Sequence, residues 1–463
     1  MSSRKQHTAP PDLEQLDRRL NEQWEQEIVP NLPKELEDQA RTLGAFVRQR
    51  HLRNATDLLR GLLTYALAGL SFRRLGIWGV LTGMGSLSEK AWRKRLAASA
   101  AWIGWLLGTV IATAETPDWM PEGLTGTGVV LTDFSSVKVV GGTGDDLRVH
   151  LGYNLLTASM DHVVVSDHHQ AESIPKEMVR KNWIYVGDSG YRQAFVARII
   201  NAGAEVVVRR HGHDLHLEEE DGTGIKVKAR VKALSYGESH SLFGWVNLPG
   251  KGQRAFVRVV VFHLPKEQAH KAREAKLART KAKGRKPNEE VLWWAERVVI
   301  VTTLAEKDWP DELILRLYRA RWQIELLFKR IKTFLKMYVI PIKQIDRASL
   351  VVQLLLIGWA LQEQEAQCIR EVLHKTAIVE QETGEEEPRI VSSWALASIS
   401  LQSLKQAVWG GWTRHRFLMC LPWLRRYLCH RPRKRVHQET EIRAFLLSLS
   451  SPLWQRQKEV ALA

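Results

Sequence analysis

Through residues 12–115 apolar positions recur at helical spacing, β-branched clusters are few, and the pattern breaks near Pro30 and Pro33 and again at Gly83–Ser86. Side chains three and four residues apart share one helix face, so this part is predicted to be helical. After Pro117 and Pro121 the texture changes to short β-branched runs separated by turn residues: TGVVLTDF, SVKVVGG, LRVHLGYNLL and DHVVVSDHH. PKEMVRKN, WIYVGDSG, YRQAFVARIINAG and AEVVVRR then alternate helix, strand, helix, strand. Three strands followed by such alternation predict an α/β fold with a mixed sheet covered by helices on both faces.

From His211 to about Glu296 this alternation is interrupted by further short strands, GIKVKARVKAL, SLFGWVNL and RAFVRVVVFHL, and by the basic run KEQAHKAREAKLARTKAKGRKP. It resumes with RVVIVTTL and a long helix from about Pro310 to Met337, and a last helical part carries the basic tract RRYLCHRPRKRVHQ. The expected organisation is therefore a helical part at 1–118, an α/β core at 119–210 and 297–345, a β-rich insertion with a basic arm at 211–296, and a helical part at 346–463.

Two stretches of the N-terminal part bear on function. SFRRLGIWGVLTGMG is followed by SLSEKAWRKRLAAS, in which Ser86 or Ser88 can cap a second helix that shows Lys90, Arg93, Lys94 and Arg95 to solvent. This fits a helix-turn-helix with Arg93 and Lys94 on DNA, and equally two packed helices with a solvated basic face. The second stretch, Leu96 to Ala114, has about 19 residues without a charge, close to the ~20 a bilayer requires. It is rich in Ala, Gly, Ser and Thr and has no counterpart elsewhere, so a buried helix, with no membrane partner, is expected.

Charge narrows the partners. Lys and Arg number 67 against 51 Asp and Glu, a net +16 with a pI near 9.7, and a field of that sign concentrates polyanions. Nucleic acid is the first partner to consider. Cys368, Cys420 and Cys429 are too few and unpaired for a disulfide framework and fit a reducing cytosol. The N-terminus places charges where a signal peptide carries its apolar core, so a cytoplasmic, nucleoid-associated protein is expected.

The segment LRLYRARWQIELLFKRIK carries the sharpest chemical signal. On one helix Tyr318, Arg321, Glu325 and Lys332 fall within an arc of about 60°, a polar stripe beside the apolar face of Leu313, Ile324, Leu327 and Ile331. Alone, it reads as a salt-bridge ladder. Two further carboxylates change the weighing: Asp133 follows GVVLT and Asp188 follows WIYVG, each at a predicted strand end, where α/β sheets place ligand-binding groups. Three converging carboxylates repel one another unless divalent metal neutralises them, which points to metal-dependent phosphoryl transfer.

TDFSSV around Asp133, GDSGY around Asp188 and YRARWQIELLFKRIK resemble the three signature segments of DDE transposases of the insertion sequence 4 family. The last matches that family's Tyr-x2-Arg-x3-Glu-x6-Lys signature at all four positions, and the resemblance spans roughly residues 60–340. It implies a ribonuclease H-like mixed sheet flanked by helices, interrupted by a β-rich insertion. It also implies Asp133, Asp188 and Glu325 as catalytic ligands of two Mg2+ ions, replaceable by Mn2+, and Tyr318, Arg321 and Lys332 on DNA near the cleaved end. The expected activity is cut-and-paste transposition of an insertion sequence by a catalytic core at 119–210 and 297–345, with terminal inverted repeats and target DNA as partners. A homodimer is expected in the synaptic complex, for which the helical part at 346–463 would serve in dimerisation. Arg209, Arg210 and the basic arm at 271–286 would hold phosphates by charge. In relatives an insertion-domain Trp stacks on a flipped base; here the nearest, Trp293 and Trp294, stand several residues before RVVIVTTL. An inactive relative that only binds DNA is the alternative.

Other chemistry-bearing residues have plainer readings. His211, His213 and His216 lie in a polar, turn-rich stretch and read as a solvated loop. Asp167, His168 and His169 end a strand and could line the site. GGTGDD at 141–146 matches no phosphate-loop spacing and reads as a hairpin turn, and Cys420, Cys429, His430 and His437 lack zinc-site spacing.

Overall fold

The computed structural model describes residues 23–49, 52–81, 87–112, 128–141, 147–167, 174–250, 252–286, 288–382, 390–409, 429–430 and 441–442. The predicted strands form β1 (Val129–Val139), β2 (Leu147–Asn154), β3 (Ser159–Asp167), β4 (Ile184–Gly187) and β5 (Glu205–Arg210). TGVVLTDF and SVKVVGG are joined in β1, so Asp133 lies within a strand paired continuously to β2 and not at its end, whereas Asp188 does follow β4. β1, β2 and β3 pair antiparallel, while β4 runs parallel to both β1 and β5. The spatial order β3-β2-β1-β4-β5 is a ribonuclease H-like mixed sheet.

The segment after β5 does not leave this sheet. Its strands β6 (Leu217–Glu218), β7 (Gly224–Ile225), β8 (Ser239–Asn247) and β9 (Arg254–His263) continue it through β10 (Arg297–Thr302), which pairs antiparallel with β5 on one side and β9 on the other. A short β11 (Val339–Ile340) adds to β1, giving eleven strands. The expected interruption of the sequence pattern is thus a spatial extension of one sheet, because β10 satisfies the edge that β5 would otherwise expose.

The helices are α1 (Leu36–Thr42), α2 (Ala55–Leu67), α3 (Phe72–Leu81), α4 (Glu89–Ala98), α5 (Ala100–Ala112), α6 (Gln193–Asn201), α7 (Val227–Arg230), α8 (Lys266–Ala282), α9 (Glu289–Ala295), α10 (Asp311–Ala320), α11 (Trp322–Phe334), α12 (Ile345–Glu382) and α13 (Ser393–Trp409). One sheet face, carrying Leu131, Val186, Val207, Ile300 and Val260, shares a single apolar cluster with α11 and with α2, α5, α12 and α13. The other face, carrying Val130, Tyr185, Val208, Val259 and Val299, packs against α6 and Trp294. The helices at the two ends of the chain are therefore packed on the catalytic sheet and share its core.

Two expectations change. The long helix from Pro310 is two helices, α10 and α11, separated only by Arg321, whose N–H bonds to the Tyr318 carbonyl and whose own carbonyl receives the Ile324 N–H in tight three-residue turns. The stretch Leu96–Ala114 is not one span either: α4 and α5 meet at a 59° bend, and α5 buries Trp102, Ile103, Leu106 and Val110. A comparable apolar segment does exist, at Ile345–Leu373 in α12, and 72% of its most apolar window is buried within the fold.

An internal ion pair fixes α10 and α11 against the sheet. Arg258 of β9, 2% exposed, donates to the Trp309 carbonyl (2.6 Å), to Ser241 Oγ of β8 (2.8 Å) and to the Asp311 carboxylate at the start of α10. Removing one member of a buried pair strands the other without solvation. Arg258→Ala is therefore expected to lower unfolding stability by about 3–5 kcal/mol in urea titration; a loss under about 1 kcal/mol would show that the contact is dispensable.

Candidate active site

Strand register brings the two aspartates together. β1 and β4 pair Leu131 with Val186, and both point into the core beneath α11. Two residues further along β1 stands Asp133, and Asp188 follows the last residue of β4, close enough to Asp133 to push its carboxyl pKa up. Backbone N–H groups orient them: Phe134 N–H donates to Asp133 Oδ1 and Gly190 N–H to Asp188 Oδ1, each at 2.8 Å. The second contact is an Asx turn, the physical content of the Asp-Ser-Gly sequence after β4. These backbone donors are the part of the site that residue-type reasoning missed.

Glu325 arrives from the first turn of α11, held over the sheet by buried Ile324, Leu327, Phe328 and Ile331. Arg321 joins it to the strands. Its Nη1 donates to Asp133 Oδ2 at 2.9 Å and its Nη2 to Glu325 Oε1, so one guanidinium bridges both carboxylates. Burial is the largest influence on Asp133 and pushes its carboxyl up. Arg321 and the Phe134 N–H pull it down, Asp188 pushes it up again, and the result is about 6. Burial alone would lower the Arg321 pKa, but Asp133, Tyr318, Glu325 and Asp188 outweigh it and the guanidinium is held more firmly charged.

The donor set fits hard divalent cations, since three carboxylates from two strands and a helix face one space and already require a positive charge between them. Among the described residues, however, no three His, Cys, Asp or Glu side chains stand close enough to hold a metal ion as they are. The Arg321 guanidinium lies between two of the three candidates.

The other candidates divide. Tyr318 is half-buried against the α11 core and close enough to influence Arg321. Lys332 lies two turns beyond Glu325, where its Nζ donates to the Ser136 carbonyl of β1 at 2.6 Å. Continuing the β4–β5 register by one residue sets Arg209 level with Asp188 on the carboxylate face, whereas Arg210, its strand neighbour, points to the opposite face. Burial is the largest influence on Arg210 and lowers its pKa. Arg93 and Lys94 are exposed on α4, which Ser88 caps by accepting the Ala91 N–H, and Arg93 pairs with Glu89 at 2.6 Å. The α8 arm is exposed apart from buried Ala269 and scattered half-buried positions, and its Arg273 pairs with Glu289 and Glu296.

His211, His213 and His216 are exposed around a short turn, with the first two rings stacked at 5.4 Å. Trp294 is buried, its ring pressed on Gly212, and Arg297 lies 3.6 Å over Trp293. Asp167 is exposed at the end of β3. His168, His169, residues 142–146, Ser86, Cys420, His437 and most of the tract RRYLCHRPRKRVHQ lie outside the described residues, while Cys429 and His430 pair with Val391 and Ile390.

Because the Asp133 carboxyl titrates higher in the fold than its ordinary 3.8, its contribution to stability is fully present below about pH 3.8 and is lost as pH rises through about 6. Without divalent metal, the unfolding free energy of Asp133→Asn relative to the parent should rise by on the order of 2–3 kcal/mol between pH 4 and pH 7. A pH-independent difference in urea unfolding would contradict this assignment.

Comparison with known proteins gives the same direction. Over 322 residues, 68% of this chain and 86% of the relative, the sequence is 28% identical to InsL, the transposase assigned to insertion sequence element IS186A of Escherichia coli (strain K12). It is 28% identical over 323 residues to the transposase for insertion sequence element IS421 of Escherichia coli, again covering 68% and 86%. The family model described as a transposase DDE domain matches residues 125–360, which contain the sheet, both aspartates and the α10–α11 pair, and this chain belongs to that family.

Proposed function

We propose that this protein cuts the ends of a bacterial insertion sequence and joins them to target DNA, with Asp133, Asp188 and Glu325 as its catalytic carboxylates. One observation carries the reading: aspartates from adjacent parallel β1 and β4 and a glutamate of α11 are gathered around one guanidinium, Arg321, in a chain of the DDE transposase family. Asp133, Asp188 and Glu325 would hold two Mg2+ ions. When bound, these supply Lewis-acid stabilisation of an in-line displacement at phosphorus and activation of the attacking oxygen.

The chain's own residues then bind and orient DNA. Arg209, one strand spacing from Asp188, offers a phosphate a positive partner beside the carboxylates. Tyr318 and Arg321 lie at the same opening, and Lys332 contributes charge further along α11. The exposed cations of α8 hold the flanking duplex by charge with little sequence reading, and Arg210 serves the opposite sheet face. Arg93 and Lys94 on α4 contact the terminal inverted repeats, and two copies pair in the synaptic complex. The N-terminal helices, the core with its insertion, and the C-terminal helices act as the functional parts, with the core at 119–210 and 297–345.

The test separates chemistry from binding. Asp188→Ala and Glu325→Ala should each lower Mg2+-dependent cleavage of a DNA carrying the element's own ends by at least about 1000-fold, with binding to those ends changed less than about threefold. Cleavage by Glu325→Ala at the parent rate in saturating Mg2+ would refute the assignment.

A further inference from the structure

Asp133, Asp188 and Glu325 are half-buried, where carboxylate charge calls for a cation close by. The residue that supplies it is Arg321, 15% exposed, whose forked guanidinium spans Asp133 Oδ2 and Glu325 Oε1. With the Phe134 N–H on Oδ1, both oxygens of Asp133 are already engaged. A divalent ion between Asp133 and Glu325 would have to share their oxygens with Arg321 and would meet its like charge at contact distance.

The backbone at this point is unusual for a helix. Arg321 is the one residue separating α10 from α11, and three-residue hydrogen bonds run from its N–H to the Tyr318 carbonyl and from the Ile324 N–H to its own carbonyl. Ile314, Leu317, Ile324 and Leu327 are buried before and after it. The break therefore lies in a helix pair otherwise fixed by packing, at the residue that carries the clamp.

We propose that Arg321 is a built-in counter-ion, holding Asp133 and Glu325 together in the metal-free protein and swinging out to a DNA phosphate when divalent metal enters. This rests on the reading of those carboxylates as metal ligands. Metal loading and phosphate binding are then coupled: an anion that accepts Arg321 frees the oxygens the metal requires, and removing the guanidinium frees them without DNA.

Mn2+ binding to the full chain without DNA, read from the loss of the free-ion electron paramagnetic resonance signal, tests this apart from activity. Arg321→Gln should bind Mn2+ at least about tenfold more tightly than the parent, and adding Asp133→Asn should abolish the gain. Arg321→Lys keeps the charge but not the fork, folds with less perturbation, and should show a smaller gain of about threefold. A short duplex of arbitrary sequence should tighten Mn2+ binding to the parent but not to Arg321→Gln. If both Arg321 variants bind Mn2+ no more tightly than the parent while Asp133→Asn weakens it, the counter-ion proposal fails and the metal site stands. If Asp133→Asn leaves Mn2+ binding unchanged in the parent and in Arg321→Gln, both fall.

Discussion

Two aspartates brought together by neighbouring parallel strands in a half-buried space repel one another unless a cation stands between them or beside them. That electrostatic requirement organises the molecule around Asp133 and Asp188. β1 and β4 must run parallel and in register to make them neighbours, and a helix carrying both an acid and a base must be held across the strand ends to complete the set. The elevated Asp133 pKa is the cost of this placement, lowered in part by Arg321.

The surrounding structure holds that helix in place. Ile324, Leu327 and Ile331 seat α11 on the same sheet face that α5 and α12 cover, and the Arg258–Asp311 pair ties the start of α10 to β9. Since β9 belongs to the segment inserted between Asp188 and Glu325, that segment contributes to the position of the helices that carry Arg321 and Glu325 as well as extending the sheet. Lys332, bound to the Ser136 carbonyl, fixes the far end of α11 to β1, the strand that carries Asp133. A substitution at Lys332 therefore acts on helix position as well as on charge.

Much of the core was legible because it depends on local pattern. The β-branched run before Asp188 is β4, the run before Asp133 opens β1, which continues past it to Val139, and the apolar spacing around Glu325 is the buried face of α11. The break at Arg321 was not legible: Ala320 and Trp322 include no helix-breaking residue, and the interruption goes with a long-range ion pair to a residue 188 positions away. Strand pairing across the inserted segment was hidden for the same reason, since β5 meets β10 only after 86 intervening residues (211–296). Arg209 and Arg210 show the opposite case. The period-two rule assigns them to opposite faces, and grouping them by charge alone overlooked a signal that was present. The apolar stretch in α12 reads as a span by composition and is core by packing.

The central claim is that Asp133, Asp188 and Glu325 form one divalent-metal site once Arg321 has moved. Anomalous diffraction from crystals of the protein with DNA, soaked in Mn2+, tests it directly. The account predicts peaks within ~2.0–2.3 Å of oxygens from all three carboxylates, with the Arg321 guanidinium turned toward a phosphate. Manganese density bound elsewhere, with Arg321 still bridging Asp133 and Glu325, would contradict it.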